Sequence, residues 1–315
     1  MSLSKEALIV FKDFQDPILG QTYLELGWVK KISDKIQVRL GYPETQEGCS
    51  KLETALSARL KALGEDHPVE VGWKVSKHKP QGNLKPKDGI KNVIAVGSGK
   101  GGVGKSTISA NLACALSALG AKVGILDADI YGPSQPHIFS AKQKPEVANN
   151  QFIPLTAHGV SMLSMGCLVE EDNAMIWRGP MVSGALLQLF DESTWPDLDY
   201  LILDLPPGTG DIQLTMAQKL PVAGAVVVTT PQDLSLLDAK KAISMFQKVD
   251  ISVLGIVENM SGHVCEACGH TTPLFGQHGG EHLAAHYHVP LLAEIPLTKA
   301  ICDHTECGVP TVVKA

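Results

Sequence analysis

Residues 97–107 read G-S-G-K-G-G-V-G-K-S-T, between the apolar run Val93-Ile94-Ala95-Val96 and an amphipathic stretch. Gly99, Gly104, Lys105 and Ser106 fit the phosphate-binding pattern G-x-x-x-x-G-K-[ST]. The apolar run predicts a buried strand. Residues 106–119 put Ile108, Leu112, Ala115, Leu116 and Leu119 on one helical face, and Gly120 supplies a stop. Strand, glycine loop and helix in that order turn a string match into a site. Loop N–H groups and the positive helix end wrap an anionic phosphate chain. The expected cradle is Gly99, Lys100, Gly101, Gly102, Val103, Gly104, Lys105, Ser106 and Thr107. Lys105 reaches the β/γ-phosphates and the Ser106 hydroxyl ligates Mg²⁺.

The rest of the chain repeats the strand-then-helix theme. Apolar runs at 123–126, 160–163, 201–203, 225–229, 253–257 and 291–295 are bounded by turns and spaced by helical stretches. That alternation predicts an α/β fold, a P-loop NTPase whose mainly parallel sheet is covered by helices on both faces. A length of 315 residues allows about two domains, and composition shifts between 74 and 91. Pro80, Gly82, Pro86 and Gly89 lie there among lysines, without apolar periodicity, so the stretch reads as a linker. The expected division is a small α+β domain at 1–77, a linker at 78–90 and the nucleotide domain at 91–315. In the small domain, 5–14 and 52–63 look helical, while 36–40 and 69–75 look strand-like. An α-β-β-α-β sandwich accommodates them.

Composition narrows the partners. The net charge of −6 gives no general attraction to nucleic acid. No apolar run reaches the ~18 residues of a membrane span, and Met1-Ser-Leu-Ser-Lys5 lacks a secretory signal. Seven cysteines are too scattered for a disulfide scaffold, so a reducing cytoplasm is expected.

Two carboxylate segments accompany the loop. The run at 123–126 ends in Asp127-Ala-Asp129, and in open parallel sheets ligands bind beyond the carboxyl ends of strands. Two residues apart, both acids can share one face of an extended chain. Tyr200-Leu-Ile-Leu-Asp204 is a Walker B segment that delivers Asp204 to Mg²⁺, a hard ion that takes oxygen ligands directly or through water. Pro206-Pro207-Gly208-Thr209-Gly210 then forms a stiff loop near the γ-phosphate.

Cys265-Glu-Ala-Cys268 brings two thiolates onto one turn, suited to a tetrahedral soft-metal centre. Two sulfurs do not complete it. A symmetric dimer supplies four thiolates for one [4Fe-4S] cluster. Alternatively Cys302 and Cys307 complete a zinc site within one chain, or the pair acts as a redox dithiol. Cys114 reads as core. Cys49 is either core or a contact to iron or a client, and Cys167 has no partner in sequence. His263 and His270 flank the pair as surface residues or supports rather than ligands.

Lys100 makes the loop K-G-G-V-G-K-S-T, which resembles the deviant Walker A of the MinD/ParA/nitrogenase-iron-protein class. In that class the extra lysine crosses a dimer interface to stabilise charge on the transferred phosphoryl group. L-D-A-D-I-Y-G-P-S, L-D-L-P-P-G-T-G-D and N-M-S-G-x-x-C-x-x-C-G-H follow in order. With Trp177-Arg178-Gly179-Pro180, Phe275-Gly276 and Gly279-Gly280, they resemble the Mrp/ApbC family of iron–sulfur cluster carrier ATPases over about residues 90–310. The resemblance implies ATP and Mg²⁺ and an iron–sulfur cluster, [4Fe-4S], on Cys265 and Cys268 across a homodimer. It implies apo iron–sulfur clients and cluster-assembly scaffold proteins as partners, with no nucleic acid and no membrane. It makes Asp129 the residue that orients the attacking water or takes its proton. Asp127 supports Mg²⁺ or the loop, Asn259 sits at the adenine edge and Pro231 against the base. Asp16-Pro17, Leu26-Gly27-Trp28-Val29 and Thr45-Gln-Glu-Gly48-Cys49 resemble a SufT-like iron–sulfur assembly domain. Other readings are a zinc-stapled nucleotide-binding scaffold and a MinD/ParA-like positioning ATPase. The latter's basic amphipathic C-terminal membrane helix has no counterpart in Cys307-Gly-Val-Pro-Thr-Val-Val-Lys-Ala315.

Overall fold

The computed structural model describes residues 3–82, 84–167 and 179–314. Two compact units divide at residues 76 and 77. The first contains α1 (Lys5–Asp13), β1 (Val29–Ile32), β2 (Lys35–Leu40), α2 (Gln46–Ala62) and β3 (Val69–Trp73), the order expected of an α-β-β-α-β sandwich. Ser4 and Thr45 cap the two helices by accepting from the N–H groups of Ala7 and Gly48. β2 alternates exposed and buried residues and pairs antiparallel with β1 and parallel with β3. Ile36, Val38 and Leu40 thereby meet Phe11, Leu56 and Leu60 in a small core.

In the second unit, β4 (Ile90–Ser98) leads through the glycine loop to α3 (Lys105–Ala118). β5 (Val123–Asp127), α4 (Gln135–Ile138), a hairpin of β6 (Val147–Ala148) and β7 (Gln151–Phe152), β8 (Leu155–Ala157) and β9 (Val160–Ser164) follow. Next come α5 (Gly179–Asp191), β10 (Leu198–Asp204), α6 (Asp211–Lys219), β11 (Val222–Thr229) and α7 (Asp233–Lys248). The chain continues with β12 (Val253–Val264), β13 (Thr271–Thr272), α8 (Gly279–Tyr287), β14 (Leu291–Leu297), α9 (Lys299–Glu306) and α10 (Thr311–Lys314). The sheet order is β13-β12-β11-β4-β10-β5-β9-β8, and β14 also pairs with β12. All pairings are parallel except those of the edge strands β8 and β13. Two apolar clusters pack the two faces, one around Leu201, Leu203 and Phe246, the other around Val96, Ile125 and Ile202. Residues 77–82 run along this unit, where the Gln81 amide donates to the carbonyls of Ala217 and Leu220. Among the described residues no helix is long and apolar enough to cross a membrane.

β12 differs from its sequence expectation. It runs on past residue 257 to Val264, so Asn259 lies inside the strand rather than after it. The apolar run stops at Val257, yet pairing with β14 continues through Asn259 to His263 across a register shift. Met260, with φ 58°, takes up that irregularity.

Candidate nucleotide and metal-cargo sites

The central position of β4 between β10 and β11 fixes where the loop emerges. Gly102 (φ 81°) and Gly104 (φ 84°) adopt left-handed backbone that a side chain disfavours. At Gly99 an added Cβ would lie 2.1 Å from the Asp238 carbonyl on α7. On the other side, the Asn259 side-chain N–H₂ donates to the Val103 carbonyl at 2.9 Å. α7 and β12 therefore clamp the loop from both flanks. No side chain caps α3, whose N-cap is Gly104, so its end presents positive dipole and backbone N–H groups. This donor set fits a phosphate chain.

Lys105 and Asp204 form a buried ion pair at 2.6 Å at the base of the loop. Asp204 also accepts from the Ser109 hydroxyl at 2.9 Å and the Gln135 amide at 2.8 Å. Asp127 occupies the matching register position on β5. It accepts from the N–H groups of Asp129, Ser134 and Gln135 and from the Ser164 hydroxyl. Those bonds make it the organiser of the 128–135 loop. Burial, reinforced by the Asp204 carboxylate, pushes its acid up to about 7. Asp204, joined to the Ser106 hydroxyl through the Lys105 ammonium, and Asp127 next to it make a pair of carboxylates that suits a hard divalent cation, which would relieve their repulsion.

Asp129 is buried beyond β5, and one of its oxygens accepts from the Gly132 N–H at 3.2 Å. It lines a cavity of about 600 Å³ with Pro206, Pro207 and Gly210, so it faces the loop after the Walker B strand. Lys100 leans the other way, donating to the Gln232 side chain at 3.4 Å just before α7. Pro231 borders a separate cavity of about 630 Å³ between α7 and α8. Sequence reasoning missed Gln135, whose amide joins the Ser106 carbonyl to Asp204. It follows Asp-Ala-Asp by six residues, and no residue-type signal marks it.

Cys265 follows β12 directly and begins the turn to β13. Its N–H donates to the His270 carbonyl at 2.9 Å, and the Gly269 N–H donates back to its own carbonyl at 2.8 Å. The Cys265 thiol is lowered, first by the Cys268 N–H, then by the Ala267 N–H and the Cys268 thiol. A thiolate so supported is a ready soft-metal ligand. Cys265 is half-buried and Cys268 exposed, so the pair faces outward. Among the described residues no three His, Cys, Asp or Glu side chains are grouped to hold a metal ion. Cys302 and Cys307, exposed on and just after α9, therefore do not join the pair in a four-cysteine site. Cys49 is buried in the small core of the first unit and Cys114 in the cluster around Val96, Ile125 and Ile202. Burial pushes both thiols up, that of Cys114 to about 12. Trp177 and Arg178 lie outside the described residues, as does the Cys167 side chain.

Residues 89–315 match the ParA family, described as NUBPL iron-transfer P-loop NTPase. An iron-sulfur cluster carrier protein of Haemophilus influenzae is 50% identical over 97% of this chain and 85% of its own length. Its namesake in Escherichia coli K12 is 50% identical over 96% and 84%. A mitochondrial iron-sulfur protein required for NADH dehydrogenase, from Arabidopsis thaliana, is 48% identical over 72% and 73%. Among solved structures, an ADP complex of a nucleotide-binding protein from Archaeoglobus fulgidus superposes with TM-score 0.64 at 40% identity, covering 72% of this chain and 89% of that one. The cell division ATPase MinD of Pyrococcus furiosus shares the fold at TM-score 0.51 and 24% identity, over 70% and 89%. Joined to the clamped loop and its paired carboxylates, these likenesses show that the chain belongs to the ParA-type iron-transfer P-loop NTPases.

Proposed function

We propose that this chain is an ATP-hydrolysing carrier that holds an iron–sulfur cluster, [4Fe-4S], between two copies of itself and passes it to apo-proteins. The observation that carries the reading is the half-built cysteine turn. Two thiols, one of them lowered by backbone donors, face outward without a third ligand among the described residues. A two-fold axis through that turn supplies the missing pair and makes the four-thiolate set of a [4Fe-4S] cluster. The relatives named as iron-sulfur cluster carriers support the same reading over nearly the whole chain.

In this reading Lys105 and the loop N–H groups hold the β/γ-phosphates. Ser106 and Asp204 hold Mg²⁺, with Asp127 behind them keeping the loop in place. Bound there, Mg²⁺ neutralises charge on the transferred phosphoryl group. Lys100 reaches the partner's nucleotide, and Asn259 and Pro231 border the base. Asp129 takes the proton of the attacking water. Asp129→Asn keeps the shape but removes the base, so turnover should fall on the order of 10²- to 10⁴-fold with ATP binding retained. Steady-state hydrolysis alongside equilibrium nucleotide binding checks this, and unchanged turnover at saturating ATP removes Asp129 from the mechanism.

Apo iron–sulfur proteins and cluster-assembly scaffolds are the partners, and a reducing cytoplasm suits cargo held on accessible thiols. The first unit acts as a SufT-like assembly module. The test is anaerobic reconstitution, with iron, acid-labile sulfide and oligomer size measured on one sample. Equal iron and sulfide in a dimer support the reading. Colourless zinc in a monomer overturns it in favour of a stapled scaffold.

A further inference from the structure

Gln213 lies in α6, shortly after the Pro206–Gly210 loop, and is 1% exposed. Among the described residues neither its Nε2 nor its Oε1 has a hydrogen-bond partner. Burying a carboxamide with both ends unpaired is costly, and such a cost points to a group that the amide meets during function. The side chain lines the same cavity as Asp129, Pro206, Pro207 and Gly210. It also lies against the strand that feeds the phosphate loop, where an added Cβ on Gly97 would come 3.3 Å from its Nε2. The unpaired amide and the acid assigned as base thus share one cavity at the carboxyl end of the sheet.

We propose that Gln213 is a water-positioning residue for ATP hydrolysis. An attacking water must have both protons held so that a lone pair faces the γ-phosphorus. Asp129 can hold only one of them, and the other needs a second acceptor from a different direction. Gln213 Oε1 supplies that acceptor without competing for the proton, because an amide oxygen is a weak base. The water oxygen then forms the new bond to phosphorus and the bond to the β,γ-bridging oxygen breaks. ADP departs, the lost proton goes to Asp129, and Gln213 is unchanged. This assignment rests on the reading of Asp129 as the base.

The test is steady-state ATP hydrolysis and thermal unfolding of the full chain carrying Gln213→Leu or Gln213→Met, with Asp129→Asn alongside. Loss of the acceptor should lower kcat on the order of 10- to 100-fold and leave KM for ATP within about twofold. Because an unpaired buried amide is removed, the unfolding midpoint should hold or rise. Lower turnover in a protein at least as heat-stable as the parent is a result that a merely structural glutamine does not produce. Parent-like kcat in both variants overturns the proposal, as does a fall in kcat matched by a lower midpoint and a higher KM. If Asp129→Asn loses turnover while the Gln213 variants keep it, only the Gln213 assignment falls. If Asp129→Asn also keeps it, the reading of the catalytic site fails with it.

Discussion

Under the proposed function, alanine at Cys265 or Cys268 is expected to strip the dimer of its cluster while leaving the ATPase within about threefold of the parent. A [4Fe-4S] cluster needs four thiolates, and either substitution leaves two in the whole dimer. The parent, reconstituted without oxygen, should carry about four iron atoms per dimer, with visible absorption that bleaches in air. Each single variant should fall to background. The phosphate loop is spared because its clamps are Asp238 on α7 and Asn259, not the cysteine turn. Cys302→Ala and Cys307→Ala are the matched controls, since both side chains stand apart from the pair. If those two lose metal instead, the symmetric site is the wrong one.

Lys105→Ala should have the second large effect, on nucleotide affinity and on stability together. Its ammonium is the loop's buried cation and already faces Asp204 at 2.6 Å. Without it, ATP affinity should drop at least about 100-fold, because the β/γ-phosphates lose their counter-charge. Asp204, fully buried, is left without its partner, a change that typically costs about 3–5 kcal/mol. Thermal unfolding with and without Mg·ATP separates the two. The parent should gain about 2.7 kcal/mol at a ligand concentration 100 times Kd, and the variant should start lower and gain nothing. A variant still stabilised by ATP would mean that the phosphates are held elsewhere.

Much of this was readable beforehand, because the strongest signals are local. Val93 to Val96 and the glycines after them identify strand and loop from residue type alone. Continuous apolar runs marked the parallel strands, since strands covered on both faces carry no polar alternation. The edge strand β8 and the two-residue β13 escaped notice, being half-exposed or too short to impose a period. The continuation of β12 was hidden because Glu258-Asn-Met-Ser-Gly262 has no apolar pattern, although pairing with β14 resumes at His263 after a register shift. In sequence Asp127 reads as a support for Mg²⁺ or for the loop, without deciding between them. Its role as hub of the following loop depends on backbone donors up to eight residues away. Gln213 is silent in sequence for the same reason, as a missing partner is a property of the packed molecule.

The length of β12 sets how the phosphate loop and the cysteine turn are joined. Asn259, which grips the loop at Val103, and Cys265 are six residues apart on one stretch of chain, no more than about 20 Å of extended backbone. That span is too great for a proton or a hydrogen bond to cross, but it is covalent. Along this stretch β14 pairs with the strand at Asn259 and His263 and β13 at His263 and Val264, whereas β11 pairs only as far as Glu258. The left-handed backbone at Met260 is the elbow of this rod. Under the proposed function, the coupling that this stretch of chain offers between the loop and the cysteine turn is backbone displacement rather than charge.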